Sequence, residues 1–142
     1  MINLTPGATS TIDNTPLTLS PLTTVKSAYA GDGNDLLVGN GIGNLLYGGR
    51  GDDTFYPGLG DNTLDGGPGF NVAFIPGDLL DNSWVHTSSG NAVITPTGTD
   101  TLRNISLLAF RDTLMPVSSL NFLDQSLLSG SFAQGSALGV SG

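Results

Sequence analysis

The sequence contains no cysteine. A disulfide framework and a thiolate metal site are therefore both excluded, and the redox compartment stays open. It also contains no glutamate, because all 12 acidic residues are Asp. Asp forms helices poorly and favours turns, so a chain that relies on it alone is built for turns and short strands. Basic residues are just as scarce: Lys26, Arg50, Arg103 and Arg111 stand against those 12 acids, for a formal net charge of −8. They are spread along the chain, which leaves no basic patch for nucleic acid and none for an anionic membrane surface. No run of about 18 apolar residues occurs, so no membrane span is expected. The first residues carry neither a positive leader nor an apolar core, and no Sec-type signal peptide is expected.

What the chain has in excess is glycine. Of its 21 glycines, 13 fall between Gly31 and Gly69. Cutting this segment every nine residues from Ala30 gives AGDGNDLLV, GNGIGNLLY, GGRGDDTFY, PGLGDNTLD and GGPGFNVAF. The sixth slot holds Asp35, Asn44, Asp53, Asn62 and Asn71. The eighth holds Leu37, Leu46, Phe55, Leu64 and Ala73. The fourth is Gly in every block but the second, which has Ile42. Five blocks in register without an insertion define an internal repeat, and this period organises the chain.

Around it the sequence divides into four parts. Residues 1–29, rich in Thr, Ser and Pro, are read as N-terminal strands that cap the repeat. Residues 30–74 are the repeat itself. Residues 75–117 are C-terminal capping strands, with Ser83–Thr87 and Ala92–Thr95 flanking a turn at Ser88–Asn91. The run from Ile105 to Phe110 is a further strand there. Leu102, Leu107, Leu108 and Phe110 are candidate core residues, and Trp84 is expected to cover an apolar surface. In the Ser/Gly/Leu-rich tail, residues 118–142, Leu120, Leu123 and Leu127 have helical spacing. From its residues the tail is read as a packed end-cap or a disordered terminus.

The repeat suits calcium for physical reasons. Ca²⁺ is a hard cation that takes six to eight oxygens from carboxylates and backbone carbonyls. A turn aims several carbonyls at one point only by entering backbone conformations that Gly reaches and most residues do not. Each block thus supplies a curled Gly turn, a slot-six oxygen ligand and a three-residue strand whose middle residue points inward. Two blocks make an 18-residue coil with one strand on each face. Successive coils stack at strand spacing, about 4.8 Å. The expected fold is all-β, a short parallel β-roll with flanking capping strands. Turns one, three and five then face each other along one edge, and turns two and four along the other. Two and a half coils fall short of the roughly three units a solenoid needs, so the flanking segments must cover both ends.

The blocks resemble the RTX, or haemolysin-type, calcium-binding repeats of bacterial secreted proteins. GGRGDDTFY fits that motif at every defined slot, and AGDGNDLLV misses only the first Gly. GNGIGNLLY and PGLGDNTLD look like degenerate members, and GTDTLRNISLLAFRD is similar to capping strands that follow such tracts. The resemblance implies Ca²⁺ as the bound ion, type I secretion machinery as a partner and the tail, residues 118–142, as the C-terminal signal which that machinery reads. It also implies folding outside the cell, hence a secreted, extracellular or cell-surface location in a bacterium.

Three slot-six residues are Asn, which offers a neutral oxygen, and this ranks the sites. The best pairs Asp35 with Asp53, using carbonyls near Gly31, Gly33, Gly49 and Gly51. A second uses Asp53 and Asn71 with Gly67 and Gly69. The third, Asn44 and Asn62 with Gly58 and Gly60, is expected to be weak or empty unless Asp61 swings in. Asp52, Asp61 and Asp65 are read as solvated turn charges and Arg50 as a surface residue. His86, the sole His, is read as an exposed strand residue, because nothing near it or any Ser has the form of a nucleophile site. No catalysis is expected.

Two functions fit. One is a secreted structural protein that folds on calcium and self-associates into an oligomer, filament or layer. The other is a C-terminal module that drives folding and export of a larger hydrolase, toxin or adhesin.

Overall fold

A computed structural model describes residues 1–12, 15–22, 24–87 and 90–120. The protein is all-β. Its strands are β1 (Ile2–Asn3), β2 (Thr9–Ile12), β3 (Thr15–Thr18), β4 (Ser27–Asp32), β5 (Leu36–Val38), β6 (Leu45–Arg50) and β7 (Thr54–Tyr56). They continue with β8 (Thr63–Asp65), β9 (Val72–Phe74), β10 (Ser83–Thr87), β11 (Gly90–Thr95), β12 (Gly98–Arg103), β13 (Leu107–Ala109) and β14 (Leu114–Pro116). A single helical turn, Val117–Leu120, follows. Leu123, Leu127 and the proposed secretion signal lie outside the described residues.

Two six-stranded sheets carry the fold, in the orders β1-β5-β7-β9-β13-β14 and β10-β11-β12-β8-β6-β4. The repeat strands pair in parallel with partners 18 residues apart, Leu37 with Phe55 and Phe55 with Ala73 in one sheet, Ala28 with Leu46 and Leu46 with Leu64 in the other. A side-chain period of two puts the middle residue of each three-residue strand on the inner face. Leu37, Leu46, Phe55, Leu64 and Ala73 are accordingly all 0% exposed and form one core with Ala28, Leu102 and Leu108. The outer slot-nine residues stack along the sheets: Tyr56 lies 4.4 Å from Phe74, and Tyr29 lies 5.7 Å from Tyr47, centroid to centroid.

The ends of the stack are covered by the flanking segments. β1 adds in parallel to β5, setting Ile2 opposite Leu37. β13 adds in parallel to β9, setting Leu108 opposite Ala73. β12 adds in parallel to β8 and leads an antiparallel meander with β11 and β10. Trp84, on β10, is buried in the same core, as expected of a covering residue.

Three boundaries differ from the sequence reading. The stack begins before Ala30, because Ser27, Ala28 and Tyr29 already occupy the strand positions opposite Leu45, Leu46 and Tyr47. The second strand of the hairpin begins at Gly90, which pairs with Thr87, and not at Ala92. In the run from Ile105 to Phe110 only Leu107–Ala109 is strand, and Leu107 is only half-buried, because it precedes the inward Leu108 and faces away from the core.

Candidate metal centre

The turns between repeat strands stack as the strands do, 30–35, 48–53 and 66–71 along one edge, 39–44 and 57–62 along the other. In the first edge, slots two and four are left-handed, from φ 71° at Gly67 to φ 138° at Gly69. The stack also brings backbone against backbone. A Cβ on Gly49 would run into the carbonyl of Gly31, and one on Gly69 into that of Gly51. Gly58 and Gly60 keep positive φ in the second edge, whereas the turn at 39–44, where Ile42 takes slot four, has no positive φ at all. The degenerate block is thus degenerate in conformation too.

Slot six is the inner lining of both edges. Asn44, Asp53, Asn62 and Asn71 are buried, and Asp35, on the outermost turn, is half-buried. Asp53, Asn62 and Asn71 each reach back to the turn one coil earlier. Asp35 donates its backbone N–H to Asp53 Oδ1 at 2.8 Å, and Asp53 donates its own to Asn71 Oδ1 at 2.8 Å. Asn44 likewise donates to Asn62 Oδ1 at 2.9 Å. These bonds join Asp35 to Asp53, Asp53 to Asn71 and Asn44 to Asn62, and in each the Oδ1 of the acceptor is spent on the backbone ladder.

Asp53 differs from the Asn residues in what remains. Its Oδ2 is buried without a hydrogen-bond partner. Burial raises the carboxyl above its ordinary range, the Asp35 backbone donor pulls it down, and the charges of Asp35 and Asp52 push it up again. A buried carboxylate oxygen with no partner is costly and calls for a proton, a water or a cation. The donor set fits Ca²⁺: a hard anionic oxygen lies among stacked Gly turns rich in carbonyls, and no softer ligand is at hand. Among the described residues no three His, Cys, Asp or Glu gather around one point, so an ion here draws most of its oxygens from the backbone.

Three further turn aspartates, read from the sequence as solvated charges, also accept hydrogen bonds. Asp52 Oδ1 accepts from Phe70 N–H at 2.7 Å, and Asp61 Oδ1 from Thr99 N–H at 2.9 Å. Asp65 Oδ1 accepts from Gly67 N–H at 3.1 Å and Asn104 Nδ2 at 2.8 Å. They lock turn to turn, because unpaired backbone donors at tightly stacked turns need acceptors. Asp61 in particular is directed at residue 99, away from Asn44. Arg50 is exposed, as read from the sequence. The sequence reading missed Asp100, which is 1% exposed and also has a buried, partnerless Oδ2. Its signal was legible in TPTGTDTLR, where Gly98, Asp100 and Leu102 keep the spacing of slots four, six and eight.

Stacked glycine turns with buried slot-six side chains, on parallel strands 18 residues apart, define a repeat architecture. Residues 29–64 and 38–73 each match the family model of the RTX calcium-binding nonapeptide repeat in four copies, and the tract they span is made of these repeats. Comparison with curated proteins and with solved structures gives no match.

Proposed function

We propose that this is a secreted calcium-binding β-roll protein that folds on Ca²⁺ outside the cell and takes a structural, surface or matrix role by self-association. The observation that carries it is Asp53, a buried carboxylate with one unpartnered oxygen at the middle of three stacked glycine turns. Extracellular calcium modules have dissociation constants of roughly 10⁻⁴ to 10⁻³ M, far above cytosolic calcium. Inside the cell the buried carboxylate stays uncompensated and the short stack is destabilised. Outside, binding to the folded state alone adds stability by mass action. Export by a type I system, which passes an unfolded chain, suits this balance.

Self-association is assigned to the sheet margins. Leu37 and Ala73 are fully buried under β1 and β13, so the stack ends offer no bare core. β4 and β10 remain margins of one sheet, and Tyr29 on β4 is 65% exposed. Margin strands carry unpaired backbone groups that favour strand addition. The closed ends also favour a second reading, in which the fold serves as a self-sufficient C-terminal module for a larger exported hydrolase, toxin or adhesin. On either reading the chain is not an enzyme; His86 is exposed, with Nδ1 2.8 Å from Asn91 Oδ1 on the neighbouring strand.

A calcium titration followed by far-UV circular dichroism and light scattering tests the proposal. Strand signal gained with calcium supports calcium-driven folding, and an unchanged spectrum in excess chelator refutes it. Sedimentation in millimolar calcium tests the rest: a monomer at every concentration rules out self-association and leaves the module reading.

A further inference from the structure

The segment 95–103 lies outside the matched tract, beyond a break in which β10 and β11 are inserted, yet it repeats the geometry of a nonapeptide block. Thr101, Leu102 and Arg103 pair in parallel with Thr63, Leu64 and Asp65. Thr101 N–H donates to the Asn62 carbonyl at 2.8 Å, as Thr63 N–H does to that of Asn44 at 2.8 Å. Leu102 is 2% exposed in the inward slot. A Cβ on Gly98 would run into the Gly60 carbonyl and lie 2.9 Å from Asp61 Oδ1; one on Gly51 would run into the Gly33 carbonyl and lie 2.9 Å from Asn34 Oδ1. Both ladders continue as well. Thr99 N–H donates to Asp61 Oδ1 at 2.9 Å, matching Asp52 N–H to Asn34 Oδ1 at 2.8 Å. Asn62 N–H donates to Asp100 Oδ1 at 3.2 Å, matching Asn44 N–H to Asn62 Oδ1 at 2.9 Å.

The second edge therefore has three turns, and its third contributes a carboxylate where the first two have only amides. Asp100 is 1% exposed, and its Oδ2 has no partner. Its Oδ1 shares one point with two carbonyls. The Asn62 amide nitrogen lies 2.8 Å from Asp100 Oδ1, 3.1 Å from the Gly60 carbonyl and 3.5 Å from that of Leu59. Three oxygens thus converge on a single NH₂ group, which stands in for a positive charge. Backbone carbonyls joined by one buried carboxylate are a donor set for a hard divalent cation.

We propose that residues 95–103 are a displaced sixth turn, and that Asp100 with the Leu59 and Gly60 carbonyls forms a Ca²⁺ site on the edge otherwise lined by Asn44 and Asn62. The inference rests on the calcium reading of the repeat and adds a site that the continuous tract does not supply. When the ion binds, the Asn62 amide gives up its place and the Asp100 carboxylate gains the partner its Oδ2 lacks.

The test counts calcium on the full chain by calorimetry and equilibrium dialysis for the wild type, Asp100→Asn and Asp53→Asn, with the backbone amides of Asn62 and Thr99 followed by NMR. Asp100→Asn is expected to bind one ion fewer than the wild type and to lose the calcium-induced shifts at Asn62 and Thr99. Asp53→Asn keeps those shifts and loses binding on the other edge. A wild type that binds calcium and an Asp100→Asn variant with the same count and shifts overturn the site while leaving the calcium reading intact. A wild type that binds none overturns both. Should Asp100→Asn fail to fold by dichroism, Asn62→Asp decides: a second carboxylate facing Asp100 is expected to tighten that site at least tenfold, and unchanged affinity overturns it.

Discussion

The backbone N–H of Asp35 and Oδ1 of Asp53 lie 2.8 Å apart across 18 residues of sequence. One side chain thereby ties two turns together, and its second oxygen is left buried without a partner. Asp53 belongs to the middle turn of its edge, so it bears on the gaps to both neighbours.

Asp53 is accordingly expected to be the dominant ligand of its edge. Asp53→Ala should weaken calcium binding by roughly tenfold or more, about 1.4 kcal/mol, and more than Asn62→Ala does. Asp53→Asn separates two roles, since it keeps an Oδ1 acceptor for Asp35 and removes only the charge. Calorimetric titration of the three variants checks the order, and equal losses for Asp53→Ala and Asn62→Ala refute it.

The stability of the calcium-free protein should rise as pH falls. Burial pushes the Asp100 carboxyl up from its ordinary 3.8 to about 6, against the hydrogen bonds from the Asn62 side chain and backbone and with the charge of Asp61 adding to the rise. Asp53 is raised as well. A raised carboxyl holds its proton better in the folded state, so stability declines as pH climbs from about 4 to about 6 and the full cost, about 3 kcal/mol for Asp100, is present above that. Asp78, lowered by Arg111, has the opposite sign but is exposed and adds little. The strand signal that remains in chelator at pH 5 and at pH 7, read by far-UV dichroism, measures the effect, and Asp100→Asn should flatten it. In saturating calcium the order should reverse, because protons compete with the ion for both carboxylates.

Phe55 and Tyr56 are adjacent but face opposite ways. Phe55 is 0% exposed and Tyr56 is 43% exposed against Phe74. Phe55→Ala should cost about 3–5 kcal/mol through lost burial and a cavity. Tyr56→Ala should cost about 1 kcal/mol, the value of a ring pair on the surface. Denaturant unfolding in saturating calcium distinguishes the two.

Gly49 and Gly41 make a similar pair among the turns. Gly49 has φ 110° and no room for a Cβ beside the Gly31 carbonyl, while Gly41 has open space around it. Gly49→Ala should destabilise the protein by about 2 kcal/mol or more, and Gly41→Ala should stay within about 0.5 kcal/mol. Thermal unfolding of both in calcium checks this.

The inward slot was readable from the period alone, because burying every ninth residue on alternate faces leaves it no other place. The pairing of Asp53 with Asp35 and of Asn62 with Asn44 followed from the same period. The acceptor roles of Asp52, Asp61 and Asp65 did not, since a turn charge reads the same whether it meets water or a backbone N–H one coil away. Asp100 escaped for another reason. Its block follows an insertion, so a fixed nine-residue frame steps over it, and only the strand register of Leu102 on Leu64 restores it.

That insertion bears on the order in which the chain assembles. Partners inside the tract are 18 residues apart, whereas the ladder reaches Ser106 across 35 and Asp100 across 38. Short loops close at lower entropic cost, so β5 to β9 are expected to zip first and the terminal strands to dock afterwards. Substitutions in β1, β12 or β13 should then speed unfolding and leave the folding rate almost unchanged, while those at Phe55 or Leu46 slow folding itself. The two covers act as clasps on a stack already formed, and the lifetime of the folded protein is set by how firmly they hold.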